Sequence, residues 1–275
     1  MPGASGPAGA DDADDLALIA EAAEEAGRMA MGYWRNDPET WFKDGGSPVC
    51  EADIALDRHL REELRRARPA YGWVSEETEA EAAHDDAARG RAFVVDPIDG
   101  TRAFLSGRET WGVAVAVIED GRPIAGALAC PALGHLYLAR RGAGATRDGE
   151  RIGVRGERDR PLMAGPRSWL RLMPDGYGNR VESAPYVPSL AYRIARVAEG
   201  TLDGTYVRAS AHDWDLAASD IVLGEAGGSL LRQDGRPPIY GRETARHGLL
   251  VAGSAAQLPH MLSMVRQVPD DRVTD

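Results

Sequence analysis

The residues best equipped for chemistry are Asp96-Pro97-Ile98-Asp99-Gly100-Thr101, which follow the short apolar run Ala92-Phe93-Val94-Val95. That run reads as a buried strand, so two carboxylates project where a strand ends. Pro97 between them fixes φ and carries no amide donor, which suits a sharp turn off the strand. Gly100 lets the backbone approach a ligand closely, and Thr101 opens a short helix through Phe104 and Leu105. Carboxylates beside free backbone amides make a site for hard cations bridged by a phosphate. A turn with one solvated aspartate is the plain alternative, but the whole hexapeptide behind an apolar strand favours the site.

Other acids need context. Glu76 and Glu77 read alone as a solvated pair after a strand. Asp215 reads as an acid in the first turn of a helix, where the macrodipole stabilises its charge. Asp53 stands near the start of another helix and could serve as its cap. Trp214 is expected to pack in the core and position Asp215, while His212 and Asp213 lie where they could reach a substrate.

Val94-Val95-Asp96-Pro97-Ile98-Asp99-Gly100-Thr101 resembles the first defining motif of the inositol monophosphatase superfamily. Trp214-Asp215-Leu216-Ala217-Ala218, running to Glu225-Ala226-Gly227-Gly228, resembles the second. Ser75-Glu76-Glu77 is similar to the family's short acidic motif, and Lys43 through Asp53 to its lysine-to-aspartate segment. The resemblance spans most of the chain, in the family's order.

It implies a Mg²⁺-dependent phosphomonoesterase with two or three ions. Glu76, Asp96 and the Ile98 carbonyl would hold the first ion. Asp96 would bridge to a second held by Asp99 and Asp215, and Glu76 with water would hold a weaker third. Magnesium suits a ligand set made only of oxygen. The implied nucleophile is an activated water, with Thr101, Asp53 and Glu76 as the catalytic set. Asp99, Gly100, Thr101, Arg208 and Asp215 are the implied substrate contacts, and Lys43 would steady the loop bearing Ser47 to Cys50.

Two departures bear on substrate. After the lysine this chain reads Ser47-Pro48-Val49-Cys50, closer to bacterial 3'(2'),5'-bisphosphate nucleotidases and histidinol-phosphate phosphatases than to inositol-selective members. Arg208 stands near the position of a glutamate that binds the inositol ring, and an arginine favours a second negative group. The leading reading is hydrolysis of inositol monophosphate or 3'-phosphoadenosine 5'-phosphate; histidinol phosphate is the alternative substrate. A non-catalytic sensor of metal or phosphate is a further alternative, disfavoured because a binder has no use for the Thr101–Asp53 pair. A calcium-stabilised structural protein lacks the EF-hand spacing.

With 275 residues the chain can bury a sizeable core. A formal net charge of -11 argues against a nucleic-acid polymer or an anionic membrane as partner. The two cysteines, Cys50 and Cys130, are too few for a disulfide framework, so a reducing cytoplasm is expected. No apolar run approaches a membrane span, and the family points to a homodimer.

The elements that must position these groups follow from periodicity. Residues 1–10 are expected to be a disordered tail, and Asp11, Asp12, Asp14 and Asp15 a solvated helix start. Leu16, Ile19, Ala22, Ala26, Met29 and Tyr33 recur at helical spacing. Trp41 to Val49 reads as a loop, Ala52 to Ala67 as a helix, and Tyr71 to Val74 as a strand delivering Glu76. Glu77 to Gly90 reads as a mobile excursion. Trp111–Ile118, Pro123–Leu128 and Leu136–Ala139 form an antiparallel meander turned at Glu119-Asp120-Gly121-Arg122. Beyond a hinge at Arg141-Gly142-Ala143-Gly144, helices are expected over Ser189–Glu199, Trp214–Ala226 and Ala255–Val265, with strands Gly204–Arg208 and Leu249–Ala252. The organisation is an α/β (α+β) chain: a lobe over 11–142 with the main metal site, and a lobe over 143–275 supplying Asp215. Resemblance implies a layered αβαβα sandwich.

Overall fold

In the computed structural model, which describes residues 8–43, 46–78, 90–166, 169–170, 176–242 and 244–267, the elements follow in chain order. The first half holds α1 (Ala8–Tyr33), β1 (Thr40–Phe42), β2 (Pro48–Cys50), α2 (Glu51–Ala67), β3 (Gly72–Ser75), β4 (Arg91–Asp99), α3 (Thr101–Leu105), β5 (Gly112–Glu119), β6 (Arg122–Cys130) and β7 (His135–Arg140). Then come β8 (Gly144–Arg147), β9 (Glu150–Arg151), β10 (Leu162–Ala164), β11 (Glu182–Ser183), α4 (Leu190–Ala198), β12 (Gly204–Val207), α5 (Asp213–Glu225), β13 (Gly228–Arg232), β14 (Leu250–Ser254) and α6 (Leu258–Val265).

Strands β3 to β9 form one sheet in sequence order, and a second sheet runs β11-β10-β12-β14-β13. Helices α1 and α2 cover one face of the first sheet, and α4 and α5 fill the space between the two sheets. Helix α6 lies against the second sheet. The result is the five-layered αβαβα arrangement.

Strand periodicity explains why β4 reads as a continuous apolar run. Phe93 and Val95 pack with Leu56, Leu60 and Leu64 of α2, whereas Val94 packs on the opposite side with Trp214, Leu216 and Val222. Both faces are buried, so alternation disappears. The three leucines sit four residues apart on one helical face and are fully buried, each contributing about 1.5–3 kcal/mol. A third core gathers Met163, Tyr206, Val251 and Met261 beneath α6.

The expected meander is present, and Asp120 and Gly121 make its first tight turn with positive φ at both positions, 49° and 73°. Other expectations change. Helix α1 begins at Ala8, so the end of the expected tail is helical; residues 1–7 lie outside the described residues, as do 79–89 of the expected excursion. Asp12 and Asp15 are buried rather than solvated: their spacing puts both on one face of α1, where Arg91 reaches them at 2.8 and 2.7 Å. The expected loop Trp41–Val49 instead contains the β1–β2 hairpin, with Trp41 opposite Val49. The expected hinge 141–144 is a tight turn joining β7 to β8 within the first sheet, which runs on to Arg151, past the expected boundary at 142–143. No described helix is long and apolar enough to cross a membrane.

Candidate active site

Strand β4 carries its pairing with β5 as far as Asp96, breaks register at the proline, and resumes at Asp99 opposite Gly112. Pro97 cannot donate to the ladder, which accounts for the interruption. The break turns both aspartates toward the same end of the sheet. Asp96 accepts from the Ile98 amide at 3.0 Å, and the Thr101 hydroxyl donates to the Ile98 carbonyl at 3.2 Å. Gly100 turns the chain with φ 93°, a left-handed conformation that favours glycine; a Cβ there would meet Ser189 at 3.1 Å.

Glu76 arrives from the neighbouring strand. Strand β3 runs parallel to β4 with Ser75 opposite Val95, so the residue after Ser75 stands beside Asp96. Asp215 comes from the first turn of α5, where its carboxylate accepts from the His212 amide at 2.6 Å. Carboxylate oxygens of Asp96, Asp99 and Asp215 all lie within 4.8 Å of one another. Glu76 is held at the margin by Lys43, whose Nζ is 3.2 Å from Glu76 and 2.8 Å from Glu77.

The electrostatics record this crowding. Burial pushes the Glu76 carboxyl up to about 7; Lys43 opposes the shift, while Asp215 and Asp53 add to it. Asp99 is pushed up to about 6 by burial and by Asp215, against the hydrogen bonds it accepts. Burial, then Glu76, Asp99, Asp215 and Asp53, raise Asp96 well above the usual carboxylate range. Burial disfavours the charge on Lys43, but Glu76 and Glu77 outweigh it and its pKa is raised. Such a cluster is costly without positive charge to offset it. Its donors are all carboxylate oxygens, with no histidine or cysteine among the three that converge. That set fits a hard divalent cation.

The other expected residues divide. Asp53 is buried at the third position of α2, accepting from the Cys50 amide at 2.8 Å and the Cys50 thiol at 2.9 Å, so it caps its own helix. Burial nevertheless raises its pKa to about 6, and it lies within electrostatic range of Glu76 and Asp96. Thr101 and Asp53 make no direct hydrogen bond with each other: Thr101 turns to Ile98, and Asp53 to Cys50. Lys43 bonds across the hairpin through its own amide, to the Ser47 carbonyl at 2.9 Å. Arg208 lines the cavity over the carboxylates.

Trp214 is buried, with the His212 ring stacked on it at 4.6 Å. Neither His212 nor Asp213 lines the cavity, which corrects their expected reach toward substrate. Asp213 is spent on the Gly241 amide at 2.7 Å and on His247 at 2.6 Å, because α5 needs its first turn anchored to the neighbouring loop.

The cavity measures about 830 Å³ and is walled by Pro185, Tyr186, Val187 and Pro188 on one side and by Val207 to Ala211 on another. Sequence reasoning missed three of its features. Ser189, Leu190 and Ala191 hold Asp99: the Leu190 and Ala191 amides donate at 3.1 and 2.8 Å, and the Ser189 hydroxyl donates to it as well. Arg193 and Tyr186 also face the cavity. Ser189 was readable as the cap of a helix; Arg193 and Tyr186 carry no local signal.

Comparison with known proteins agrees with this geometry. The histidinol-phosphatase of Mycobacterium tuberculosis is 35% identical over 255 residues, covering 86% of this chain and 95% of that protein. The inositol-1-monophosphatase of Mesorhizobium japonicum is 30% identical, covering 92% of this chain and 96% of that one. Among solved structures, the extragenic suppressor protein suhB of Bartonella henselae superposes with a TM-score of 0.80 at 25% identity, over 93% of this chain and all of that one. Residues 12–269 match the model of the inositol monophosphatase family. With its acidic cluster at the end of β4 and a family match over nearly its whole length, the chain belongs to the inositol monophosphatase family, whose members are metal-dependent.

Proposed function

We propose that this protein is a magnesium-dependent phosphomonoesterase acting on a small phosphorylated metabolite. The observation that carries the reading is the convergence of Asp96, Asp99 and Asp215, with Glu76 beside them, at the floor of one cavity. Glu76, Asp96, Asp99, Asp215 and the Ile98 carbonyl would hold two ions, with a weaker third at Glu76. Bound there, magnesium would supply positive charge to offset the ester, lower the pKa of a water and stabilise the leaving oxygen. The amides of Gly100 and Thr101 hold a phosphate oxygen at the start of α3. Thr101 orients the attacking water, since a hydroxyl that donates to Ile98 keeps its lone pairs for a second partner. Asp53, with its pKa near 6, takes the proton.

Arg208 supports a substrate with a second anionic group, such as 3'-phosphoadenosine 5'-phosphate, over inositol 1-phosphate. The name of the M. tuberculosis relative favours histidinol phosphate as a second reading. Against it, the described residues lining the cavity include no carboxylate outside the metal cluster to meet that substrate's ammonium group. A homodimer in the cytoplasm completes the proposal. The test is phosphate release from a panel of monoesters including all three substrates, with magnesium and with EDTA. Turnover that survives removal of all metal would overturn the reading.

A further inference from the structure

Asp215 is only as well placed as helix α5, and the segment between β13 and β14 grips α5 at two points. At the first, the buried Asp213 divides its oxygens: Oδ2 accepts from the Gly241 amide at 2.7 Å, and Oδ1 lies 2.6 Å from Nε2 of His247, whose side chain is 8% exposed. At the second, the Tyr240 hydroxyl donates to Asp220 at 2.7 Å. Asp213 and Asp220 stand seven residues apart, two turns along one face of the helix. The Tyr240 and His247 rings, with centroids 5.3 Å apart, join the two grips.

The segment has its own footing. The Tyr240 amide donates to the Gly121 carbonyl at 3.1 Å, and Arg122 donates to the Pro238 carbonyl at 2.7 Å, both at the β5–β6 turn of the first sheet. His247 makes backbone bonds of 2.8 Å to Ser210 and to Ala211, which line the cavity. Neither Tyr240 nor His247 lines it.

The bond from the His212 amide to Asp215 fixes where α5 starts but not how it is rolled about its axis. Two grips on one face, seven residues apart, fix the roll. A carboxylate about 5–6 Å from the axis moves about 2 Å when a helix rolls by about 20°. That is as long as a magnesium–oxygen bond, and magnesium demands near-ideal octahedral geometry. An anchor that served stability alone would leave metal affinity untouched.

We propose that His247 and Tyr240 are positioning residues for Asp215, which set the affinity of the metal site by fixing the roll of α5. The proposal rests on the magnesium-dependent reading of that site.

The test measures magnesium affinity on the full chain in two ways: the midpoint of the magnesium-dependent rise in melting temperature, and the concentration giving half-maximal phosphate release. His247→Leu should weaken magnesium about 5–20-fold by both, near the lower end of what removing a metal ligand's own partner costs. Its kcat at saturating magnesium and its KM should stay within about threefold of wild type. His247→Gln keeps an N–H donor and should recover part of the loss; Tyr240→Phe should shift the midpoint in the same direction by less. Leu64→Ala, on α2, should melt lower with its magnesium midpoint unchanged. A His247→Leu protein that melts lower but keeps the wild-type midpoint would overturn the proposal and leave the phosphatase reading intact. An equal weakening in Leu64→Ala would overturn it too, by making the effect one of general stability. Should His247→Leu not fold, His247→Gln and Tyr240→Phe carry the same comparison. A wild type whose melt ignores magnesium and that releases no phosphate would sink the magnesium reading itself, and the proposal with it.

Discussion

Asp96 is enclosed on all sides and shares its space with four other carboxylates, so its charge is its function rather than its packing. Asp96→Asn should abolish turnover while leaving the thermal melt as high as wild type or higher, because it removes repulsion in the metal-free protein. A variant that keeps activity would show that Asp96 is no bridging ligand. Thr101→Ala should lower kcat with little change in KM, since orienting the water matters in the transition state; a change confined to KM would assign Thr101 to binding instead. Cys50 touches Asp53 but is no reactive thiol. Burial, and then Asp53, push its pKa up to about 12, so it should resist alkylation in the native protein and label readily in urea.

Helix α5 places Asp215, and the sheet must let it come close. A Cβ on Gly126 of β6 would sit 2.6 Å from Ile221 and 2.7 Å from the Ala218 carbonyl. Gly126→Ala should therefore push α5 outward and cost about 1–3 kcal/mol in urea unfolding. It should also raise the magnesium concentration needed for half-maximal activity. Loss of stability with an unchanged magnesium requirement would mean that the helix shifts without moving Asp215. The helices α1, α2, α4 and α5 were legible because their apolar spacing is regular, and the hexapeptide after β4 because proline and glycine fix its backbone. The β1–β2 hairpin was not legible: its strands have three residues each, too short to show alternation. The burial of Asp12 and Asp15 depends on Arg91, far away in sequence, which no local pattern reports. The same limit hid Arg193, whose place in the cavity arises only when α4 docks on Asp99.

At the scale of the molecule, the cavity gathers acid where the core is tightest, and this makes stability depend on pH and metal together. Asp53 and Asp99, near 6, and Glu76, near 7, all lie above the 3.8 and 4.5 of the free side chains. Groups raised by folding stabilise the native state below about pH 4, and that contribution is lost as pH climbs through 6 to 7. Metal-free protein should therefore melt at a higher temperature at pH 5 than at pH 8. Magnesium should restore the loss at pH 8, because a ligand that binds only the native state adds to its stability. A metal-free melt that rises from pH 5 to pH 8 would contradict the crowded cluster.

Asp99 belongs to the first sheet, yet its carboxylate is gripped by the leading amides of α4 and by Ser189, in the half of the chain that builds the second sheet. A proposed metal ligand is thus also the bolt between the two layers. Cation occupancy and the seating of α4 become one thermodynamic variable, since neither changes without disturbing the same oxygens. A chelator would then act as a local denaturant of that joint. The Leu190 and Ala191 amides should report it directly, exchanging their hydrogens faster in EDTA than in magnesium, while amides in the middle of β5 change far less.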